Sequence, residues 1–318
     1  MTAAGPVIAV HAGAADEQTD RTGPVIAVHA GAADEQTDRE LLLGACRAAL
    51  DAGVAVLAGG GHALDAVGAA VRVLEDAPAC NAGTGGTLTR AGTLELDACI
   101  MDGATRRSGA VAVLPPFRHP IDVARAVMER TDCHLLAGEG AAAFAERAGF
   151  ERADPESMIT ARRREQLAKL GSGAQAGETV GAVALDAAGR LAAATSTGGH
   201  TGLLPGRVGD VPIVGAGTYA DAYAACSCTG DGEAFARASA ALHASTETAA
   251  PTSGGPQAAA EQAVGRVLEE FGGRGGLILV DDAGAVGAAC TMLALPHGFA
   301  RPGGPPVVAW TPGGPPER

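Results

Sequence analysis

Short apolar runs bounded by turn residues recur along the chain and predict β-strands. The clearest pair is 180–185 and 191–194, which residues 187–189 join as a turn. This pattern predicts a hairpin of buried strands with Thr179 at the mouth of the first strand. Further strands are predicted at residues 25–28, 87–89, 94–101, 108–113, 211–214, 223–228, 276–280 and 285–290, with an edge strand at 307–310 in the proline-rich tail.

Other stretches place apolar residues at helical spacing. Residues 40–75 predict two helices, because three consecutive glycines at 59–61 interrupt the pattern. Four more helices are predicted at residues 121–130, 140–148, 233–243 and 257–271. Residues 151–178 are first charged and then rich in Gly, Ala and Ser, so 171–177 is predicted to be a flexible linker.

The N-terminal segment is duplicated without a single difference, since residues 5–21 and 23–39 have the same sequence. Architectural repeats normally diverge and come in three or more copies. Only the second copy leads directly into the helical pattern that begins at residue 40. We therefore assign the first strand to the second copy, expect residues 1–22 to be a disordered duplicate, and expect 23–318 to form one domain.

Composition restricts the classes of partner and compartment. The chain has 318 residues, of which 47% are hydrophobic and only 3% aromatic, so a sizeable core must be packed from small side chains. A net charge of −13 argues against a nucleic-acid partner, which requires a basic surface. The sequence shows neither an apolar run that predicts a membrane helix nor a signal peptide, and the cytoplasm is the expected location.

Cysteine, histidine and glycine patterns argue against metal and nucleotide chemistry. The seven cysteines are odd in number and scattered, unlike a disulfide framework, and Cys226 and Cys228 are expected to be buried neighbours on one strand face. The histidines form no ligand pair of HxxxH type, so no catalytic metal is expected. The glycine-rich run 81–86 lacks the Gly-Lys-Ser/Thr ending of a phosphate-binding loop.

Thr179 is the candidate nucleophile. An alcohol is a weak nucleophile unless a base lies within hydrogen-bond reach. If the bond between Glu178 and Thr179 is cut, the new α-amine, with an ordinary pKa of about 7.7 to 8.0, lies beside the Thr179 hydroxyl and can act as that base. Taken alone, a threonine before an apolar strand is more often an ordinary strand cap.

Four segments nevertheless resemble, in order and spacing, the motifs of one family. They are Thr179-Val-Gly-Ala-Val-Ala-Leu-Asp, Thr195-Ser-Thr-Gly-Gly, Pro205-Gly-Arg-Val-Gly-Asp and Thr229-Gly-Asp-Gly-Glu. From about residue 23 to residue 290, the chain resembles the plant-type asparaginase, or isoaspartyl peptidase, family of N-terminal-nucleophile hydrolases. This resemblance implies an α+β fold, a four-layer αββα sandwich.

The resemblance also implies self-cleavage between Glu178 and Thr179. The products would be fragments 1–178 and 179–318, which stay associated, with two such pairs forming a dimer of αβ heterodimers. Two positions depart from the family pattern. Glu178 replaces the common Gly or Asp, and the loop after the first strand reads His29-Ala-Gly-Ala-Ala instead of a His-Gly-Gly type.

The same resemblance implies individual site roles. Thr179 would be the nucleophile, oriented by Thr197. Arg207 would bind the substrate's α-carboxylate bidentately and Asp210 its ammonium group, although two such charges in a loop are by themselves typical of a solvated surface pair. The oxyanion donors and the glycine that lets substrate approach the backbone would be Thr229, Gly230 and Gly232.

A structural sodium ion is implied by the loop after the second helix. Its ligands would be the main-chain carbonyls of Leu74, Glu75, Ala77, Cys80, Ala82 and Thr84. Carbonyl oxygens suit a hard cation, although the residues alone indicate only a glycine-rich turn. No catalytic cofactor is expected.

The expected activity is hydrolysis of β-aspartyl dipeptides and L-asparagine through an aspartyl-Thr179 ester. Two alternatives remain open at this point. A glycosylasparaginase would use the same chemistry with room for a sugar. An unprocessed chain would be a catalytically silent protein that binds aspartyl-like ligands.

Overall fold

The computed structural model describes residues 23–31, 38–170, 178–250 and 254–313. The predictions for residues 1–22 and for the linker 171–177 lie outside these described residues. The described chain is a mixed α/β structure with two β-sheets. Its strands are β1 (Val25–His29), β2 (Leu96–Asp102), β3 (Ser108–Leu114), β4 (Leu135–Ala137), β5 (Val180–Leu185), β6 (Leu191–Thr197), β7 (Thr218–Ala220), β8 (Ala224–Gly230), β9 (Gly275–Asp281), β10 (Val286–Cys290), β11 (His297–Ala300) and β12 (Val307–Ala309).

Helices flank the strands in both halves of the chain. They are α1 (Arg39–Ala58), α2 (Ala63–Asp76), α3 (Pro120–Arg130), α4 (Gly138–Arg147), α5 (Pro155–Met158), α6 (Ala161–Ala168), α7 (Gly232–Ala238), α8 (Ala240–Ala249) and α9 (Pro256–Phe271). Local signals fix several of their ends. Asp38 caps α1 through a hydrogen bond from the Leu41 amide, and prolines stand in the first turns of α3, α5 and α9.

The strand order places β5 in the middle of the larger sheet. That sheet has eight strands in the order β12-β11-β1-β5-β6-β2-β3-β4, and the smaller sheet has four in the order β10-β9-β8-β7. Neighbouring strands are antiparallel except for β3 and β4. The strand that begins next to Thr179 is therefore hydrogen-bonded on both sides, to β1 and to β6.

Both faces of the larger sheet are buried. Ile26 and Val28 of β1 belong to a core shared with α1, α2 and α3, whereas Val25 and Ala27 belong to a second core shared with the smaller sheet and with α8 and α9. Strands buried on both faces have continuous apolar sequences instead of alternating ones. This explains why the run at 180–185 is apolar throughout.

Helix α1 is the one helix in the described part of the chain with the length and apolar composition of a membrane span. It packs against β1, β11 and α2. Its buried face includes Leu42, Cys46, Ala49 and Leu50. These contacts are those of a core helix, whose apolar side chains face a sheet.

Most predicted elements are confirmed, two predicted strands are wrong, and one predicted helix is divided into two. Residues 211–214 form turns with one isolated bridge at Val214, and 87–89 form only isolated bridges. The helix predicted at 233–243 is interrupted at Ser239, whose φ of 47° lies in the left-handed region. Cys226 and Cys228 are buried as predicted, with their sulfur atoms 3.8 Å apart.

Several short elements are absent from the predictions. Strand β11 contains only four residues, and its pairing with β1 and β12 defines it. Helix α6 has the sequence ARRREQLA, whose charged residues leave almost no apolar periodicity. Elements of this kind form through tertiary contacts that a local pattern does not record.

Candidate active site

Thr179 lies immediately before β5, with 5% of its surface exposed. Val180 of β5 pairs with Ser196 of β6 in the antiparallel register, so Thr179 stands opposite Thr197, the last residue of β6. The Thr179 Oγ1 atom donates a hydrogen bond to Thr197 Oγ1 at 3.2 Å. Strand register thus brings together two hydroxyl groups that are 18 residues apart in sequence.

The carbonyl group of Glu178, which precedes Thr179, accepts two hydrogen bonds. Thr197 Oγ1 donates to this oxygen at 3.0 Å, and Asn81 Nδ2 donates to it at 2.6 Å. Asn81 is itself fixed, since Nδ2 also donates to the Gly199 carbonyl and Oδ1 accepts from the Thr87 amide. The peptide bond at the predicted cleavage point therefore has a polarised carbonyl next to a threonine hydroxyl.

Asn81 is a candidate site residue that the sequence analysis did not assign. The available signal was its place at the start of the glycine-rich run 81–86, within the loop predicted to bind sodium. Its function could not be inferred locally because its partner, Glu178, is 97 residues away in sequence.

Gly31 closes the site from the loop after β1. Its φ of +101° is a conformation that favours glycine, and a Cβ atom there would lie 2.9 Å from Glu178 Cβ and 3.1 Å from the Thr179 nitrogen. The backbone of this loop therefore approaches the predicted cleavage point directly. The departure from a His-Gly-Gly sequence leaves the glycine at this contact in place.

Asp210 and Arg207 form the opposite wall of the site. Burial raises the pKa of Asp210 to about 7, and its Oδ2 atom has no hydrogen-bond partner among the described residues. A buried carboxylate without a partner is costly unless a ligand satisfies it. Gly232 packs against both side chains, and a Cβ atom there would lie 2.7 Å from Asp210 Oδ1 and 2.8 Å from Arg207 Nη2.

Arg207 has a carboxylate partner within the protein. Its Nε and Nη2 atoms donate to the two carboxylate oxygens of Glu233 at 2.9 and 2.7 Å, and these bonds lower the pKa of Glu233. The Glu233 side chain is 55% exposed, whereas that of Arg207 is 14% exposed. One edge of the guanidinium is thus occupied. Two parallel hydrogen bonds from Arg207 to a substrate carboxylate must therefore use the other edge or displace Glu233.

A small cleft brings together most of the predicted site residues and adds two others. Thr229 is fully buried in β8 and Gly230 ends that strand with a φ of +131°. His200, which the sequence analysis did not assign, has its pKa lowered by burial and a buried Nδ1 atom without a hydrogen-bond partner among the described residues. The cleft is lined by Thr179, Thr197, Gly199, His200, Arg207, Asp210 and Gly230.

A buried polar network lies between the two sheets beneath β5. His29 Nε2 is 2.9 Å from Ser227 Oγ, which is 2.8 Å from Thr195 Oγ1. Burial lowers the pKa of His29 to about 3, so its ring is neutral near pH 7. The network packs against Gly181 of β5, where a Cβ atom would clash with Ser227 Oγ. Its hydrogen bonds join β1, β6 and β8.

The predicted sodium loop follows α2 and is rich in converging carbonyl groups. A Cβ atom on Gly83 would lie 2.7 Å from the Glu75 carbonyl oxygen, and one on Gly85 would lie 2.8 Å from that of Cys80. The carbonyls of Leu74, Glu75 and Ala77 each accept one backbone hydrogen bond, which leaves a second lone pair on each. No cluster of His, Cys, Asp or Glu side chains suited to a metal occurs in the described residues.

The site and fold together define a class. A threonine hydroxyl at the start of a central strand lies beside a polarised carbonyl, in a cleft that also contains a partly buried arginine and a buried aspartate. These are the parts of a hydrolase of the nucleophilic type. A family model described as Asparaginase matches residues 22–303. The chain belongs to this asparaginase family, and the match begins at the second copy of the repeat.

Individual relatives agree with this assignment. The isoaspartyl peptidase of Escherichia coli (strain K12) is 48% identical over 260 residues, which cover 76% of this chain and 80% of that protein. The plant-type L-asparaginase of Pyrococcus abyssi is 42% identical over 264 residues, covering 76% and 85%. The isoaspartyl peptidase/L-asparaginase of Bos taurus is 40% identical over 308 residues, covering 94% of each chain.

The raised pKa of Asp210 predicts a pH-dependent stability cost. The unfolded chain, with an ordinary pKa of 3.8, releases this proton at lower pH than the folded chain, whose value is about 7. Stability therefore falls as pH rises between these values. Asp210→Asn removes the cost, and we expect the variant to exceed wild type in unfolding free energy above pH 7 by about 1 to 4 kcal/mol.

The measurement is urea unfolding of both proteins at pH 4, 5.5 and 8. The other charged groups near Asp210, namely Arg207, Glu233 and Asp97, are present in both proteins, so the difference isolates residue 210. A stability difference that stays constant from pH 4 to pH 8 would contradict the prediction.

Proposed function

We propose that this protein is an isoaspartyl peptidase/L-asparaginase that uses Thr179 as its nucleophile. The observation that carries the proposal is the chain of contacts from Thr179 Oγ1 to Thr197 Oγ1 and from there to the Glu178 carbonyl, in a cleft that also holds Arg207 and Asp210. The relatives' names supply the substrate class. Taken together, these names support β-aspartyl peptides and L-asparagine as the substrates.

The two sheets and their covering helices support a finer description of the fold. Helices α1, α2 and α3 pack on one face of the larger sheet, its other face packs on the smaller sheet, and α8 and α9 cover the far side. We describe this arrangement as the four-layer αββα sandwich of N-terminal-nucleophile hydrolases. Thr179 lies immediately before β5, a central strand of the larger sheet.

Self-cleavage is the first proposed chemical step. The Thr179 hydroxyl attacks the Glu178 carbonyl carbon, and the C–N bond breaks as the hydroxyl proton passes to the leaving amine. Water then hydrolyses the resulting ester. This step releases the main-chain α-carboxylate of Glu178 as a new C-terminus and restores the Thr179 hydroxyl. Asn81 and Thr197 donate to the carbonyl oxygen that becomes negative during the attack.

Substrate hydrolysis then uses the freed α-amine of Thr179 as the base. The amine accepts the hydroxyl proton, the hydroxyl oxygen attacks the β-carbonyl carbon of the substrate, and the departing amine takes up a proton. The oxyanion that forms is stabilised by the Thr229 hydroxyl and the Gly230 N–H group. Water hydrolyses the aspartyl ester and regenerates the enzyme.

The Arg-Asp pair accounts for recognition of a free aspartyl end. Such an end carries one carboxylate and one ammonium group, which Arg207 and Asp210 complement. The Asp210 Oδ2 atom lacks a protein partner among the described residues, as expected of a group that receives a ligand's ammonium. Gly232 lets the backbone at the start of α7 approach both side chains closely.

The two fragments are expected to remain associated after cleavage. Strands β1 and β2 come from the first fragment and β5 and β6 from the second, yet β1 pairs with β5 and β2 with β6 in one sheet. Separation of the fragments would break the backbone hydrogen bonds of both strand pairs and expose the two hydrophobic cores to water. Assembly of two cleaved pairs into a dimer, and a cytoplasmic location, remain predictions from the sequence.

A structural sodium ion is also proposed, held by main-chain carbonyls of the loop at 74–84. The support is the crowding of the Glu75 and Cys80 carbonyl oxygens around Gly83 and Gly85. The ion would hold the loop that carries Asn81. It supplies rigidity and takes no part in bond breaking.

The self-cleavage proposal predicts that purified protein splits between Glu178 and Thr179 without added protease. Mass spectrometry of wild-type protein should find a fragment that begins at Thr179. Thr179→Ala lacks the attacking hydroxyl and should remain a single chain. If Thr179→Ala splits as fast as wild type, an external protease makes the cut.

The recognition proposal predicts that Arg207→Ala still self-cleaves but loses at least about 100-fold in kcat/KM on β-aspartyl dipeptide, equivalent to about 2.7 kcal/mol. The reason is that the scissile carbonyl loses its position when the α-carboxylate loses its partner. Arg207→Lys should also be poor, because an ammonium group lacks the planar fork. Near wild-type kcat/KM for processed Arg207→Ala on dipeptide and asparagine would show that substrate binds elsewhere.

The sodium proposal predicts a cation-specific gain in stability. A ligand at 100 times its Kd stabilises the folded state by about 2.7 kcal/mol. Replacing sodium chloride by choline chloride at the same ionic strength should therefore lower Tm by several degrees. Equal Tm values in the two salts would argue against a sodium site.

A further inference from the structure

The carboxylate of Glu178, beside the proposed cleavage point, is paired with two arginines. Its side chain is only 13% exposed. Arg162 Nη2 lies 3.4 Å from Oε1, and Arg163 Nη2 lies 3.2 Å from Oε2, so each carboxylate oxygen has its own guanidinium. A largely buried carboxylate requires such partners, because an unpaired one would turn towards water.

Both arginines are themselves fixed by the loop that carries Asn81. Arg163 is 2% exposed, and its Nε atom donates to the Gly85 carbonyl at 2.5 Å. Arg162 Nη1 donates to the Ala79 carbonyl at 3.2 Å. One loop therefore holds the Glu178 carbonyl through Asn81 and also holds the arginines that bind the Glu178 side chain.

We propose that Arg162 and Arg163 are positioning residues for self-cleavage, which hold the Glu178 side chain so that its carbonyl stays in front of the Thr179 hydroxyl. This inference rests on the proposed self-cleavage and extends it to residues of α6. The arginines do not touch the reacting atoms. They act through Glu178, and the bond that breaks is the one that follows it.

Two physical effects make this pairing matter for the reaction. A glutamate side chain has several rotatable bonds, and pairing at both oxygens removes that freedom before the attack. The attack also places negative charge on the Glu178 carbonyl oxygen, which lies a few bonds from the Glu178 carboxylate. Without the guanidinium groups the two negative charges would repel each other and raise the barrier.

The test is a double-mutant cycle between Arg162 and Glu178. The chains are made by cell-free translation, samples are stopped at intervals, and the rate constant for appearance of the fragment beginning at Thr179 is measured. Arg162 is chosen because its side chain is 34% exposed, whereas that of Arg163 is buried, so replacing Arg162 disturbs the core less. Loss of the Arg162 bond to the Ala79 carbonyl is common to both backgrounds and cancels in the cycle. The four chains are wild type, Arg162→Gln, Glu178→Ala and the double variant.

We expect Arg162→Gln to slow cleavage at least about tenfold when Glu178 is present. In the Glu178→Ala background the same change should alter the rate less than about twofold, because no carboxylate remains to be held. A role of Arg162 in folding alone would slow both backgrounds equally, and that outcome would overturn the inference. No effect in either background would overturn it too.

Arg164→Gln is the matched control. Arg164 stands next to the pair on α6, but it is exposed and pairs with Glu156 instead of Glu178. Its replacement should leave the cleavage rate unchanged. If wild type does not split at all, the proposed self-cleavage falls together with this inference; if wild type splits and the cycle shows no coupling, only the inference falls.

Discussion

The position of Thr179 opposite Thr197 across the β5–β6 pair is the constraint on which the rest of the site depends. A shift of one residue in that register would turn every side chain of β5 to the other face of the sheet. Both faces of β5 are packed against separate cores, so the register is strongly specified. The Thr197 hydroxyl then bonds both the Thr179 hydroxyl and the Glu178 carbonyl, so the strand register sets the geometry of the proposed reaction.

Electrostatic groups at the site are arranged for a ligand at some cost to the folded chain. Burial raises the pKa of Asp210 to about 7, and the charge of the nearby Arg207 offsets only part of that rise. Two nitrogens of Arg207 donate hydrogen bonds to Glu233 instead. The proposed substrate's ammonium group would give the Asp210 Oδ2 atom the partner that it lacks among the described residues. A buried carboxylate with an unsatisfied oxygen is typical of functional sites, where stability is given up for binding.

Small residues determine how closely these parts approach. Gly31 lets the loop after β1 reach the Thr179 nitrogen, and Gly232 lets α7 begin against Arg207 and Asp210. The low aromatic content of the chain belongs to the same pattern, since alanine-rich strands and helices pack at short distances. The contact between the sheets brings Thr179, which precedes β5, and Gly230, which ends β8, into one cleft.

The central hairpin and most helices and strands could be predicted from the sequence, because they follow local patterns of polarity and spacing. The family and the candidate site residues came instead from the resemblance of four motifs to those of known hydrolases. Tertiary structure alone decided that Asn81 holds the Glu178 carbonyl, that Glu233 occupies one edge of Arg207, and that α6 brings two arginines to Glu178. It also turned residues 211–214 into a loop and made β11 a strand. These contacts join residues that are far apart in sequence, such as Asn81 and Glu178 at 97 positions. Their energies depend on spatial distance and burial, and the spacing of residues along the chain gives neither.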